Sequence, residues 1–168
     1  MINSASVEKA CSEVGQLTDE QMASEFDRFF KAQPAVCEFI VELTHESGQK
    51  IQELALFLSY MVFKTVEGSK TPAMGTVQSE DIEAAYLQTE SWVTHVSQAQ
   101  GNDLQKTIAQ SLQQDTEPYL LQYVISELNE PMEDGADLND EEKGEVFFVL
   151  KTVISSMTNE PTRRIIVD

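Results

Sequence analysis

Apolar residues recur every three or four positions along nearly the whole chain, which is the spacing of one face of an α-helix. The pattern is clearest from 82 to 96, where it includes Ile82, Ala85, Tyr86, Thr89, Trp92, Val93 and Val96. It is interrupted by the helix-breaking residues Gly15, Pro34, Gly48, Gly68, Gly101, Pro118 and Pro161. The sequence therefore predicts an all-α fold, a single-domain bundle of seven to eight helices.

Helix-start signals lie outside the apolar runs. Thr18 with Gln21, and Asn139 with Glu142, have the spacing of a capping box. The segment 49–67 is apolar around most of its circumference, and such a helix is usually enclosed by others. We expect this segment at the centre of the fold.

Two short stretches are β-prone when taken alone, VFFVL at 146–150 and EFIV at 38–41. Each lies inside a longer pattern of helical period with caps outside it, so length and caps favour helices. The one segment expected to be extended is the tail, which ends in RIIVD.

Two parts of the chain resemble each other. Pro34 and Pro118 are 84 residues apart, and Lys-Thr-Val occurs at 64–66 and again at 151–153, 87 residues later. The three-residue difference falls in the loop between paired helices, where insertions are tolerated. This predicts two pseudo-repeated helical hairpins packed around one core. The alternative is that two unrelated amphipathic hairpins, each opened by proline, have converged.

These patterns predict the domain organisation. Residues 1–168 form one helical domain with approximate halves at 18–67 and 79–158. A linker at 68–78 carries Gly and Pro, and an extended tail occupies 159–168.

The charge balance is strongly acidic, with 29 Asp and Glu against 11 Lys and Arg and a formal net charge of −18. Such a field repels phosphates and anionic headgroups, so we expect no nucleic-acid and no membrane partner. Basic proteins, metal ions and neutral ligands remain open. An acidic surface also serves solubility alone.

The two cysteines, Cys11 and Cys37, lie on apolar helix faces and give no disulfide framework. The first fifteen residues have no signal-peptide pattern, and no apolar run approaches a bilayer's thickness. A cytoplasmic protein is the expectation.

Candidate chemistry is sparse. Glu42 and His45 have the Glu-x-x-His spacing of di-iron helical bundles, but the second such pair is missing, so they are weak metal candidates. The acidic stretch 130–145 fits no register of a calcium-binding EF-hand loop. Nucleotide-binding, zinc-protease and hydrolase motifs are absent from the sequence. We expect no cofactor and no enzymatic activity.

Aromatic residues concentrate in the two most apolar segments and could line a ligand pocket between the hairpins. The alternative is that they fill the core. The candidate pocket residues are Phe57, Tyr60, Phe63, Phe147 and Phe148.

Two functional hypotheses follow. The first is a non-enzymatic protein-interaction or regulatory module with an acidic surface, which binds a protein partner or itself; a homodimer is one form that self-association would take. Its partner contact would be the tail, through Arg163, Arg164, Ile165 and Ile166. The alternative is a binder of an apolar small ligand, and a metal-binding bundle is a more distant one.

Overall fold

The computed structural model describes residues 1–69, 74–98, 102–131 and 137–158, with side chains described from 106 onward in the helix that begins at 102. Within these ranges the protein is all-helical, with eight helices and no strand, in one compact arrangement. The prediction of an all-α bundle of seven to eight helices is confirmed. The helices are α1 (Ser4–Gly15), α2 (Asp19–Ala32), α3 (Pro34–Thr44), α4 (Gln49–Ser69), α5 (Ser79–Ser97), α6 (Asn102–Gln113), α7 (Pro118–Asn129) and α8 (Asp140–Thr158).

Local chemistry explains where the helices begin. The Thr18 backbone amide donates to Gln21 Oε1 at 2.9 Å, and the Gln21 amide donates back to the Thr18 hydroxyl at 3.2 Å. The same reciprocal pair joins Asn139 and Glu142, at 3.0 and 2.8 Å, ahead of α8. Both predicted capping boxes are confirmed, and each satisfies amides that have no partner inside a helix.

One helix boundary differs from the expected one. The helix expected over 49–67 continues through Gly68 to Ser69, because one glycine near a helix end is tolerated when neighbouring turns are well packed. The third helix ends at Thr44, and the chain turns through Gly48, whose φ of +92° is strained for residues with a side chain.

The core is built around α4 and α8, which pack against each other. Each of these helices has ten buried residues, so both are enclosed on most sides. Helix α1 packs on α4 and α7, whereas α5 packs on α8 and α3. The expectation of a central fourth helix is confirmed, and α8 shares that position.

Two buried polar residues attach the chain segments that precede α1 and α5. Gln33 and Glu117 each stand before a proline, and their backbone angles are nearly the same (φ −134°, ψ 60° and φ −133°, ψ 63°). Gln33 Oε1 accepts the Val77 amide at 2.8 Å, and Glu117 Oε2 accepts the Ile2 amide at 2.7 Å. Proline disfavours the helical conformation at the residue before it, so Gln33 and Glu117 have non-helical backbone angles just ahead of α3 and α7. In this conformation their side chains reach the neighbouring segments.

The predicted acidic loop is described only at its two sides, since 132–136 lie outside the described residues. Linker residues 70–73 and the predicted extended tail 159–168 also lie outside them.

Replacing Gln33 with alanine tests the attachment of the segment before α5. Gln33→Ala leaves the buried Val77 amide without its acceptor, so we expect the free energy of unfolding to fall by about 1–3 kcal/mol. Urea denaturation measures this change. The control is Gln88→Ala on the exposed side of α5, which should change stability by less than about 0.5 kcal/mol. Equal stability of the two variants would contradict the role given to Gln33.

Candidate functional site

The aromatic residues expected to line a pocket lie in different surroundings. Tyr60 and Phe63 are buried in the core, and the Phe63 ring packs on Phe29 with centroids 5.1 Å apart. Phe57, Phe147 and Phe148 are half-buried. The Phe147 ring packs on Trp92 and the Phe148 ring on Tyr86.

The weak metal candidates lie at the surface, where Glu42 and His45 are both exposed on the last turn of α3 and its end. In the ranges that the structure describes, no group of three or more His, Cys, Asp or Glu side chains is placed to hold a metal ion. The structure adds no further ligand beside Glu42 and His45.

Several ionisable groups with perturbed pKa values form a network where α2 meets α4. Arg28 donates two hydrogen bonds of 3.0 Å to the Glu25 carboxylate and a third, of 2.6 Å, to Glu67. The Tyr60 hydroxyl donates to Glu25 at 2.8 Å, and Lys64 Nζ lies 3.4 Å from the same oxygen. The pKa of Glu25 is lowered to about 2, chiefly by the Arg28 hydrogen bonds. Burial opposes this shift, whereas the Tyr60 hydrogen bond and the charges of Arg28 and Lys64 add to it.

Perturbed pKa values can mark catalytic groups. In this network, however, the pKa values are shifted away from neutral pH, whereas an acid–base catalyst works best with a pKa near it. A carboxylate with a pKa of about 2 is a very weak base. Burial, followed by the hydrogen bond to Glu25, raises the pKa of Tyr60, so its hydroxyl stays protonated at ordinary pH. The network is suited to holding α2 against α4.

Neither cysteine is activated as a nucleophile. Burial raises the pKa of Cys37 to about 12 and also raises the pKa of Cys11, against the opposing hydrogen bond with Tyr123. Because the thiolate is the reactive form, both thiols are poor nucleophiles at neutral pH.

A groove of about 430 Å³ lies between α3 and α5. Its apolar floor is formed by one face of each helix. On this floor the aromatic rings of Phe39 and Tyr86 meet edge to face, with centroids 6.3 Å apart. The Tyr86 ring in turn meets Phe148 of α8 at 5.3 Å, which fixes the floor to the core. The lining residues are Ala35, Glu38, Phe39, Glu42, Leu43, Ser79, Ile82, Glu83 and Tyr86.

The groove has an excess of negative charge. Glu38, Glu42 and Glu83 line it together with no lysine or arginine. Within the described residues, these three carboxylates make no hydrogen bond or ion pair with the protein. Glu38 and Glu42 are one helical turn apart, where like charges destabilise a helix by about 0.2–0.5 kcal/mol. A bound cationic group would remove that repulsion.

Apolar surface is also accessible at the edge of the groove. Leu43, one of its lining residues, is 36% exposed. The three carboxylates, the apolar floor and Leu43 together form the candidate functional site.

Sequence reasoning identified Glu42 but missed the groove. The available signal was the pair Glu38 and Glu42, four residues apart with no lysine or arginine at the same spacing. Glu83 could be added only once α5 was known to lie beside α3. The predicted tail contacts Arg163, Arg164, Ile165 and Ile166 lie outside the described residues.

Comparisons with protein-family models, curated proteins and solved structures find no match for this chain. Among the described helices, none combines the length and the apolar character needed to cross a membrane.

The Glu25 network predicts a specific acid response. Because the pKa of Glu25 falls from an ordinary 4.5 to about 2 on folding, its contribution to stability is complete above about pH 4.5. That contribution is lost as the pH falls from 4.5 toward 2, since the unfolded state then binds the proton more readily. In urea titrations across this range, Glu25→Gln should show a flatter dependence of unfolding free energy on pH. It should also be less stable at pH 7 by about 1–3 kcal/mol.

The matched control is Glu53→Gln, which removes an exposed carboxylate from α4. It should retain the steep loss of stability between pH 4.5 and 2. If Glu25→Gln and the wild-type protein lose stability in parallel over this range, the low pKa assigned to Glu25 is wrong.

Proposed function

We propose that this protein is a non-enzymatic interaction module whose α3–α5 groove binds a protein segment that combines basic and aliphatic side chains. One observation carries the proposal: three carboxylates without partners in the described structure stand over an apolar floor. Arginine suits this surface because its guanidinium can bind carboxylates while its stem covers apolar area.

The size of the groove limits the ligand. A volume of about 430 Å³ corresponds to about fourteen water-sized groups, which is two or three large side chains. The net charge of −18 adds long-range attraction for a basic segment and should speed its association at low salt. Short basic-aliphatic segments are therefore better candidates than a large flat partner surface.

The tail of a second copy of this chain is our proposed occupant. Arg163 and Arg164 are two of the three arginines in the sequence, and Ile165, Ile166 and Val167 follow them directly. This combination of charge and apolar character complements the groove. Two copies could exchange their tails reciprocally, as a twofold dimer requires.

Distance favours the neighbouring copy over the chain's own tail. The groove floor meets α8 at Phe148, and α8 continues for ten more residues to Thr158, about 15 Å farther along its axis. The five steps from Thr158 to Arg163 span at most about 17 Å. To bring Arg163 back to the level of Phe148, the tail of the same chain would have to reverse direction and be almost fully extended.

We also propose that the two halves arose by duplication and that the groove is a specialisation of the first half. The matching backbone angles at Gln33 and Glu117 support the duplication, as does the similar placement of α1 on α4 and α5 on α8. In the alignment that superposes Pro34 and Pro118, Gln122 and Ser126 stand where α3 has Glu38 and Glu42. The second half thus lacks the acidic pair.

The proposal places the protein in the cytoplasm. Cys11 and Cys37 are free, and Cys11 is exposed, which suits a reducing compartment.

Light scattering of the full-length chain tests the groove and the tail together. At low salt, the wild-type mass should be twice the 18.8 kDa of one chain and should fall toward the monomer as salt screens the charges. The variant Glu38→Gln/Glu42→Gln/Glu83→Gln should dissociate at least tenfold more readily, and Arg163→Gln/Arg164→Gln should do the same.

The matched control is Glu8→Gln/Glu20→Gln/Glu53→Gln, which removes the same number of exposed carboxylates from α1, α2 and α4, none of which lines the groove. It should dimerise like the wild type. The most specific test is a charge exchange. Glu38→Arg/Glu42→Arg alone and Arg163→Glu/Arg164→Glu alone should each abolish the dimer, and the two pairs combined in one chain should restore it. A monomeric wild type would overturn the tail as occupant, and indifference of the dimer to the groove variant would overturn the groove.

A further inference from the structure

A second concave site lies on another part of the molecule, between α5, α6, α7 and α8. It has a volume of about 240 Å³, and its walls are almost entirely apolar. Trp92 and Phe147 form one wall, with ring centroids 5.6 Å apart. The other apolar lining residues are Ile108, Leu112, Ile125 and Leu128.

One end of this pocket is cationic. Lys143 lines it and donates a hydrogen bond of 3.1 Å to the side-chain oxygen of Asn129, another lining residue. Asn129 is neutral, and within the described residues no carboxylate forms an ion pair with Lys143. By contrast, Lys151, whose Nζ lies 5.5 Å from the Trp92 ring centroid, is bound to Asp115 at 2.8 Å. Of these two lysines, Lys143 is the one whose charge no carboxylate of the described residues neutralises.

One residue that lines the pocket has no side chain. Gly144 lines it from within α8, where glycine is a poor helix former compared with alanine. A Cβ built on Gly144 would meet no atom within 4 Å, so the backbone there has room for a side chain. A large side chain at this position would occupy the space over the pocket instead of clashing with the fold.

We propose that this pocket binds a small amphiphilic anion, with its apolar chain against Trp92 and Phe147 and its carboxylate on Lys143. The volume of about 240 Å³ equals about eight water-sized groups, which suits a single chain of about eight carbons. The Lys143 ammonium favours a ligand with a carboxylate, because the two can form a charge-assisted hydrogen bond. Burial of the ligand's apolar chain adds to the affinity and offsets the repulsion of anions by the acidic protein. Binding here requires no ligand in the α3–α5 groove.

Trp92 is the one tryptophan in the chain, so its fluorescence reports on this pocket directly. Titration with sodium octanoate should change that fluorescence in a saturable way. Octan-1-ol, which has the same chain without the charge, should bind about tenfold more weakly. Lys143→Gln should weaken octanoate binding about tenfold and leave octan-1-ol binding unchanged. The control Lys31→Gln, which removes an exposed lysine from α2, should bind both as the wild type does.

Two substitutions at one position separate a blocked pocket from a damaged fold. Gly144→Ala should keep octanoate binding, whereas Gly144→Leu should abolish the binding of both ligands while its helical circular dichroism and thermal midpoint stay at or above the wild-type values. The absence of a saturable octanoate signal would overturn the proposal. Equal octanoate affinity in wild type and Lys143→Gln, or undiminished binding by a folded Gly144→Leu, would also overturn it.

Discussion

The architecture depends on the burial of two helices, α4 and α8, that are apolar around most of their circumference. Neither can stand at a surface, so each must be enclosed, and the two achieve part of this by packing on each other. Two of their buried threonines are satisfied within their own helices. The hydroxyls of Thr65 and Thr152 donate to the carbonyls of Met61 and Phe148 in their own helices, at 2.7 and 3.0 Å. These bonds satisfy polar groups that would otherwise be costly in a core.

The remaining helices pack around α4 and α8 and bury their apolar surfaces. Burial of apolar area alone does not fix the positions of these outer helices, so specific hydrogen bonds are also needed. Gln33 and Glu117 provide them, because each fixes the amide of a residue just before a covering helix. Since a buried unsatisfied amide is unfavourable, these bonds define where α1 and α5 begin relative to α7 and α3. The position of α5 beside α3 is also what creates the acidic groove.

The helices were predictable because their signals are local. A capping box such as Thr18 with Gln21 acts over three residues, and Pro34 defines a first turn by its own geometry. The sites were not predictable in the same way, because they depend on distances between helices that are remote in sequence. Glu83 joins Glu38 only through the packing of α5 on α3. Similarly, nothing in the sequence around Gln33 indicates that its side chain reaches the backbone at Val77.

The aromatic pair Phe147 and Phe148 illustrates how one helix supports two sites. Adjacent residues on α8 point to different neighbours on α5: Phe147 packs on Trp92 in the apolar pocket, and Phe148 packs on Tyr86 below the acidic groove. Both sites therefore rest on the α5–α8 contact, which is one of the most extensive between helices in this fold. Because that contact is a packed interface, a displacement of α5 large enough to alter one site would have to repack the rings that support the other. The basic segment proposed for the groove and the anion proposed for the pocket would thus be held by one rigid pair of helices, with charges of opposite sign presented on its two faces.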